Sequence, residues 1–581
     1  MQHQNKKFFY GKCFASFLLI GTVHLSTVAQ TVQTSESEEQ RRRARAEAAE
    51  RERLARAPKV ELQKSEAAPD SLVLPIESPC FAIDHFTLHV PEQLPASMRA
   101  LGASALSQDP FRFAQEYLED YKGACIGKEG LNLIVKRLTA LILSKGYSTT
   151  RLGIPAQDLS SGTLTLTLVP GVIHAIRFAD PSLPGTWKNA FPTGPGQLLN
   201  LHDIEQGLEQ MKRVPSQEVD MEIVPGALPG ESDVVITVKR VKPWKVTVSL
   251  DDSGAKGTGK LQTSVNAALD NTLGVNDLFN FGINTDADRK GGQRGTTGGN
   301  LYYAIPYGYW TFSVYASSYD YHQQIAGLYQ TFVSSGKSRS LEFTTQQLFY
   351  RDQYQKHSWQ FKVGKRWSHS YVDDTELEVQ RRNTTFAELA WVHTRYIGDA
   401  QLNLTLANRW GVSWFNGQPD LEPRQPDAPT YRYTLQTLDA SLYAPFKLFG
   451  QSFNYIGALR AQATRSALFQ SEQFSIGNRY TVRGFDGEQT LAAERGFYVR
   501  NELEMPLAQS RQALYVGLDA GRVFGPSAQY LLGNKMVGAA AGVRGGAAGL
   551  RYDAFLSWAL VKPDGLKTAT PAAGFSVSYQ Y

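Results

Sequence analysis

At 581 residues the chain is too long for one ordinary core, so two or more domains are expected. Its formal charge is only +5 and the basic residues are not pooled in one long run, so charge gives no support to a nucleic-acid or anionic-surface partner. Beyond residue 30 no apolar run reaches about 18 residues, which argues against a transmembrane helix.

The first segment reads as an export signal. Lys6, Lys7 and Lys12 precede the apolar stretch Phe14–Val23, and Thr27-Val28-Ala29 supplies a small-residue cleavage site, so residues 1–29 are expected to be removed. Cys13 leaves with them. The remaining pair, Cys80 and Cys125, predicts one disulfide in an oxidising compartment, with two buried free thiols as the alternative.

Residues 36–56 read "ESEEQRRRARAEAAERERLAR", with Leu54 the one large apolar side chain. Glu38/Arg42, Glu39/Arg43, Glu47/Arg51 and Glu52/Arg56 are spaced i,i+4 with the carboxylate first, the better order for helix support. The spacing predicts a helix with no face for an apolar core. It fits a solvated helix, and it also fits a helix inside a polar, water-filled lumen. Pro58, Pro69, Pro75 and Pro79 then mark a flexible connector.

Two small α/β modules follow. In the first, "CFAIDHFTLHV" has strand character. Leu131, Ile134, Val135, Leu138, Leu141 and Ile142 recur at helical spacing, with Gly146 as the stop, and "TLTLTLV" alternates strictly. In the second, the strand-like "VIHAIRF" precedes a helix with Leu201, Ile204, Leu208 and Met211 on one face. "VDMEIV" and "DVVITVKR" complete it. Neither module holds a catalytic constellation, and a pair of binding modules is the better reading.

From Trp244 onward the chain is built of segments of about ten residues in which apolar and polar alternate, separated by Gly, Asp, Asn and Ser. In "FYVRNELEM", Tyr498, Arg500, Glu502 and Glu504 share one face, while Phe497, Val499, Leu503 and Met505 share the other. Aromatics are plentiful throughout (29 Phe, 27 Tyr, 9 Trp), and the last strand, "GFSVSYQY", ends on one. This pattern predicts a transmembrane β-barrel of about 16 antiparallel strands over residues 241–581, closed so that no edge meets lipid.

"GAKGTGKL" nearly matches a phosphate-binding loop, but Leu261 stands where a hydroxyl would hold magnesium and the context is strand to strand. It reads as a hairpin loop. There is no H-E-x-x-H, no G-x-S-x-G and no Cys/His metal cluster, so no enzyme, cofactor or metal is expected.

Signal, charged helix, linker, two small modules and barrel together resemble the outer-membrane transporters of two-partner secretion, the haemolysin secretion/activation and contact-dependent inhibition type. "GYSTTRLGIPAQDLSSGTLTL" is similar to the family's first POTRA domain, "LNLHDIEQGLEQMKRVPS" to its second, and "LDDSGAKGTGKLQ" to its opening barrel strands. The sharpest likeness is "VRGF": Val482, Arg483, Gly484 and Phe485. With it goes "GLD", Gly517 to Asp519, on the inner wall. The resemblance implies that a loop around residues 480–490 folds into the lumen and that Arg483 pairs with Asp519.

It further implies that residues 30–57 form a plug helix whose charges, among them Arg41, Arg42, Arg43, Arg45, Arg51 and Arg53, suit the lumen. Residues 58–75 would be the linker, 76–170 and 171–240 the two POTRA domains in the periplasm, and the whole a Gram-negative outer-membrane protein acting as a monomer. The implied partner is a large unfolded exported protein (an adhesin, a haemolysin or a contact-dependent inhibition toxin), the surroundings are the lipid bilayer, and no nucleic acid is involved. The alternative is a barrel-assembly factor, which typically carries three or more POTRA domains; only two fit between residues 76 and 240.

Overall fold

The computed structural model describes residues 38–54, 59–60, 62, 73–89, 111–288, 291, 294–326, 329–420, 422–425, 428–507 and 510–581. The expected signal at residues 1–29 and most of the linker lie outside the described residues.

Sixteen long strands, from Trp244–Asp251 to Ala572–Gln580, pair antiparallel with their sequence neighbours. The last closes on the first through Ser576–Gln580 against Thr247–Asp251. A two-residue strand, Thr375–Glu376, decorates one hairpin. The closed ring satisfies every ladder without leaving an edge, and period-two alternation gives each strand two unlike faces. On Gln355–Val372, for instance, Lys356, Ser358, Gln360 and Lys362 line the lumen, whereas Trp359 and Phe361 are exposed on the outer face. That outer apolar band is what a bilayer requires.

The first small domain carries helices Arg112–Glu119 and Lys128–Ser144 over two short sheets. Leu164, Leu166 and Leu168 are each fully buried against Ile134, Leu138 and Ile142, as alternation on one side and helical spacing on the other dictate. The "CFAIDHFTLHV" segment is two strands rather than one, Phe81–Ile83 and His85–His89, because they pair with different partners on either side of Asp84. Cys80 and Cys125 form a disulfide with a Cα–Cα distance of 5.3 Å.

In the second domain the helix Leu201–Lys212 packs on a sheet ordered Val172–Phe178, Glu231–Arg240, Gln217–Pro225. That helix also meets the barrel. Gln206 and Gln210 donate to the Gly308 carbonyl in the hairpin Tyr307–Trp310, at 3.3 and 3.1 Å. The second domain therefore sits on one mouth of the barrel.

Candidate functional site: the occupied lumen

Two inserts occupy the barrel. The first is the long connection between strands Gln451–Thr464 and Arg495–Pro506, which turns inward. A small hairpin, Phe474–Ile476 with Leu491–Ala493, braces it, and Val482 and Phe485 are buried with Phe474, Tyr498, Val523 and Met536.

At its tip Arg483, 4 % exposed, meets Asp519, which is completely buried. Nε donates to Oδ2 at 2.7 Å and Nη2 to Oδ1 at 2.9 Å, a two-pronged fork. The Arg483 amide N–H adds a third bond to Oδ2 at 3.0 Å. Nη1 reaches Glu502 Oε2 at 2.5 Å, and Nη2 also donates to the Asn501 carbonyl at 3.2 Å. One guanidinium thus satisfies two carboxylates and a carbonyl, the condition under which a buried charge is tolerated.

Two glycines make this approach possible. A Cβ on Gly517 would strike the Arg483 guanidinium, and one on Gly538 would strike the Arg483 carbonyl oxygen. Gly484 has φ +105° and lies against Gly538 and the carbonyl of Trp558.

The second insert is the helix over 38–54. Among the described residues, the expected Glu38/Arg42, Glu39/Arg43 and Glu47/Arg51 spacings give way to other pairs, while Glu52/Arg56 lies partly outside the described residues. Arg41 pairs with Glu38 at 2.6 Å and Arg53 with Glu50 at 2.6 Å, both i,i+3, and Arg43 pairs with Glu47 in the reverse order at 3.2 Å. Most of the charge goes to the wall and the inserted loop instead. Arg41 donates to the Gly487 carbonyl at 2.7 Å, and Arg42 donates to Ser338 at 2.8 Å while lying 4.0 Å over the Tyr319 ring. Arg43 reaches Glu472 at 3.4 Å, Arg45 reaches Asp251 at 3.1 Å, and Arg51 reaches Asp439 at 3.6 Å. Arg460 reaches Glu47 at 2.7 Å. Partners supplied by the surrounding wall and loop add to those on the same helix. A cavity of about 1110 Å³ remains around the helix.

Sequence reading missed two acids. Glu502 shares its strand face with Arg500 and Glu504 in the sequence pattern, which does not join it to Arg483. Glu472, in the short turn Gln470–Glu472 of the inserted loop, gathers Arg366 at 2.8 Å, Arg43 at 3.4 Å and Arg409 at 3.6 Å. Glu502 could have been found from its neighbourhood to Arg500, which sits opposite Asp519 in the register. Nothing in "QSEQF" marks Glu472.

A closed barrel with a lipid-type outer face, a lumen filled by its own loop and helix, and two POTRA folds, the second on one mouth, defines an outer-membrane transporter with periplasmic domains. The chain belongs to the haemolysin secretion/activation protein ShlB/FhaC/HecB family, whose model matches residues 230–545; POTRA models match residues 98–171 and 172–225. It is 46 % identical over 525 residues to the outer membrane transporter CdiB-2 of Burkholderia pseudomallei, covering 90 % of this chain and 89 % of that protein. It is 28 % identical to the hemolysin transporter protein ShlB of Serratia marcescens, covering 69 % and 71 %. The solved structure of CdiB from Acinetobacter baumannii shares the fold, with a TM-score of 0.83 at 24 % identity over 94 % of this chain and 99 % of that one.

Proposed function

We propose that this chain exports a large partner of the contact-dependent inhibition class, and that helix 38–54 and the Arg483 loop are the two parts that govern its lumen. The cargo class rests on the 46 % identity to a CdiB-type transporter, against 28 % to a haemolysin transporter. The gating reading is carried by one observation: a polar helix held inside the lumen by ion pairs with the wall and the inserted loop.

In this reading the POTRA domains receive the unfolded partner, and the sheet-edge strand Val172–Phe178, whose Ile173 already bonds the 196–197 main chain, offers its later residues for strand addition. The helix then leaves, the chain passes, and folding outside the cell supplies the drive. No catalytic step is required. The Arg483 fork keeps the inserted loop in register with the strand Gln512–Phe524 throughout, a positional role rather than a large source of stability.

Deleting residues 30–57 is expected to raise single-channel conductance in planar bilayers severalfold. An unchanged conductance would reject the plug. Co-expression with a candidate large exported protein should place it at the cell surface, and intracellular retention would reject that cargo.

A further inference from the structure

Among the described residues between the lumen helix and the first POTRA domain, Val60 and Leu62 seat the chain on the second POTRA domain. Val60 is 6 % exposed and belongs to the apolar core of the second POTRA domain, with Ile204 and Leu208 of its helix; Leu62 packs against the same core. The main chain there is held as well. The Leu62 N–H donates to Glu205 Oε1 at 2.9 Å, and the Val60 carbonyl accepts from Arg351 Nη2 at 3.0 Å.

These two side chains are themselves fixed. Arg351, with a side chain only 2 % exposed, lies 3.3 Å from Glu205 and 3.1 Å from Glu209, and Nη1 donates to Gln206 Oε1 at 3.0 Å. Lys356 holds Glu209 at 2.5 Å. The groove is therefore built from the POTRA helix on one side and the barrel rim on the other. Its acid and its base neutralise each other, and each keeps one hydrogen bond for a visiting main chain.

What such a groove recognises follows from its parts. It takes two apolar side chains at i and i+2, the spacing that puts both on one side of an extended chain, together with one carbonyl and one amide between them. Nothing in these contacts depends on the identity of the chain that supplies them. We propose that this groove is a peptide-binding site for extended apolar–x–apolar segments, filled at rest by the transporter's own linker, and that an unfolded cargo segment displaces the linker from it.

The proposal deepens the transport reading above and rests on it for the identity of the competitor. While Val60 is seated, Leu54 is six residues away and stays within about 20 Å of the groove. The linker is thus a short tether on helix 38–54, and cargo capture and release of the helix become one exchange. Because the linker competes from within the same chain, its effective concentration is on the order of millimolar. A single weak segment does not displace it, whereas a long unfolded chain offers many trials.

The test uses the full-length protein and a fluorescent peptide of the linker's own sequence from Pro58 to Lys64, "PKVELQK". In the Val60→Asp/Leu62→Asp double variant the groove is vacated, and the peptide should bind at least about tenfold more tightly than to the wild type. Methylating the peptide's amide nitrogen at the residue matching Leu62 deletes the donor to Glu205 without touching the protein. It should weaken binding to the double variant roughly tenfold. Failure of the double variant to bind, equal binding by wild type and variant, or indifference to the methyl group each overturns the groove. Loss of the transport reading would show separately, as failure of the unmodified protein to export cargo while peptide binding persists.

Discussion

The two inserts in the lumen are held by the same chemistry at very different strengths. The loop tip concentrates its contacts: Arg483 bonds Asp519 twice through its side chain and once through its main chain, and all its partners lie on two adjacent strands. The helix scatters its contacts over separate elements, most of them single. The Arg45 side chain that reaches Asp251 is 45 % exposed, and Arg51 stands 3.6 Å from Asp439. At the Glu472 hub the shortest contact, 2.8 Å, is to Arg366 of the wall; Arg43 of the helix stands at 3.4 Å and Arg409 of the wall at 3.6 Å. A concentrated, desolvated cluster must break all at once, whereas scattered single pairs exchange one by one for water. This difference supports the proposed reading, in which the loop stays and the helix leaves.

The largest expected effect comes from breaking the concentrated cluster. Arg483→Ala leaves Asp519 and Glu502 buried without their shared cation, a loss of about 3–5 kcal/mol in the docking of the loop. Export should fall to background, and limited proteolysis should newly cut within residues 465–494. A protected loop with normal export would overturn the assignment. A second change of similar size acts outside the lumen and serves as its contrast. Reducing Cys80–Cys125, which closes 45 residues of chain, is expected to cost the first POTRA domain about 4 kcal/mol. It should retard mobility on a gel and leave conductance unchanged. A rise in conductance on reduction would mean that the helix is not governed from the lumen.

Much of this was legible because the signals were periodic. "TLTLTLV" and "FYVRNELEM" alternate with period two, the helix 201–212 repeats near 3.6, and each period admits one way to bury an apolar face. The juxtaposition of Arg483 with Asp519, 36 residues apart, was legible through the paired motifs rather than through any spacing rule. The charges of helix 38–54 were misassigned for the opposite reason. An i,i+4 rule sees only neighbours on the helix, but Glu47 finds Arg460, 413 residues away, in a lumen that no local pattern announces. Glu472 and Gly538 were invisible for the same cause: their roles exist only once the barrel has closed around its inserts.

Within the scattered set, effects should shrink as exposure grows. Glu472→Gln keeps the shape but removes the charge facing three guanidinium groups, and is expected to loosen the helix by about 1–3 kcal/mol. That should appear as intermittent full openings in single-channel records. A record indistinguishable from the wild type would show that Glu472 serves the wall alone. Arg45→Gln removes one half-exposed pair, costs under about 1 kcal/mol, and should change open probability by less than about fivefold. A larger change would mean that the helix is held at that single point, and the contrast with the loop would collapse.

The smallest effect is a pH dependence in the second POTRA domain. His174 Nδ1 lies 2.8 Å from Asp233 Oδ1, and Arg177 Nε lies 3.4 Å from Asp233 Oδ2, all near the surface. The hydrogen bond to Asp233 raises the His174 pKa above its ordinary value, and the same bond holds the Asp233 carboxyl below the usual carboxylate range. For the raised histidine, the stabilisation is complete below its unfolded value of about 6.5 and fades as pH climbs through the folded one. For the depressed aspartate, it is complete above about 3.9 and fades as pH falls through the folded one. The pair therefore contributes most in mildly acidic solution and little under alkaline conditions. Asp233→Asn should return the His174 titration, followed by NMR, toward about 6.5 while export at neutral pH stays unchanged. An unmoved titration would remove Asp233 as the cause. A loss of export would place this exposed pair, and the outer strand that carries His174, on the path of the cargo, giving a surface contact the functional weight that the comparison reserves for the buried fork.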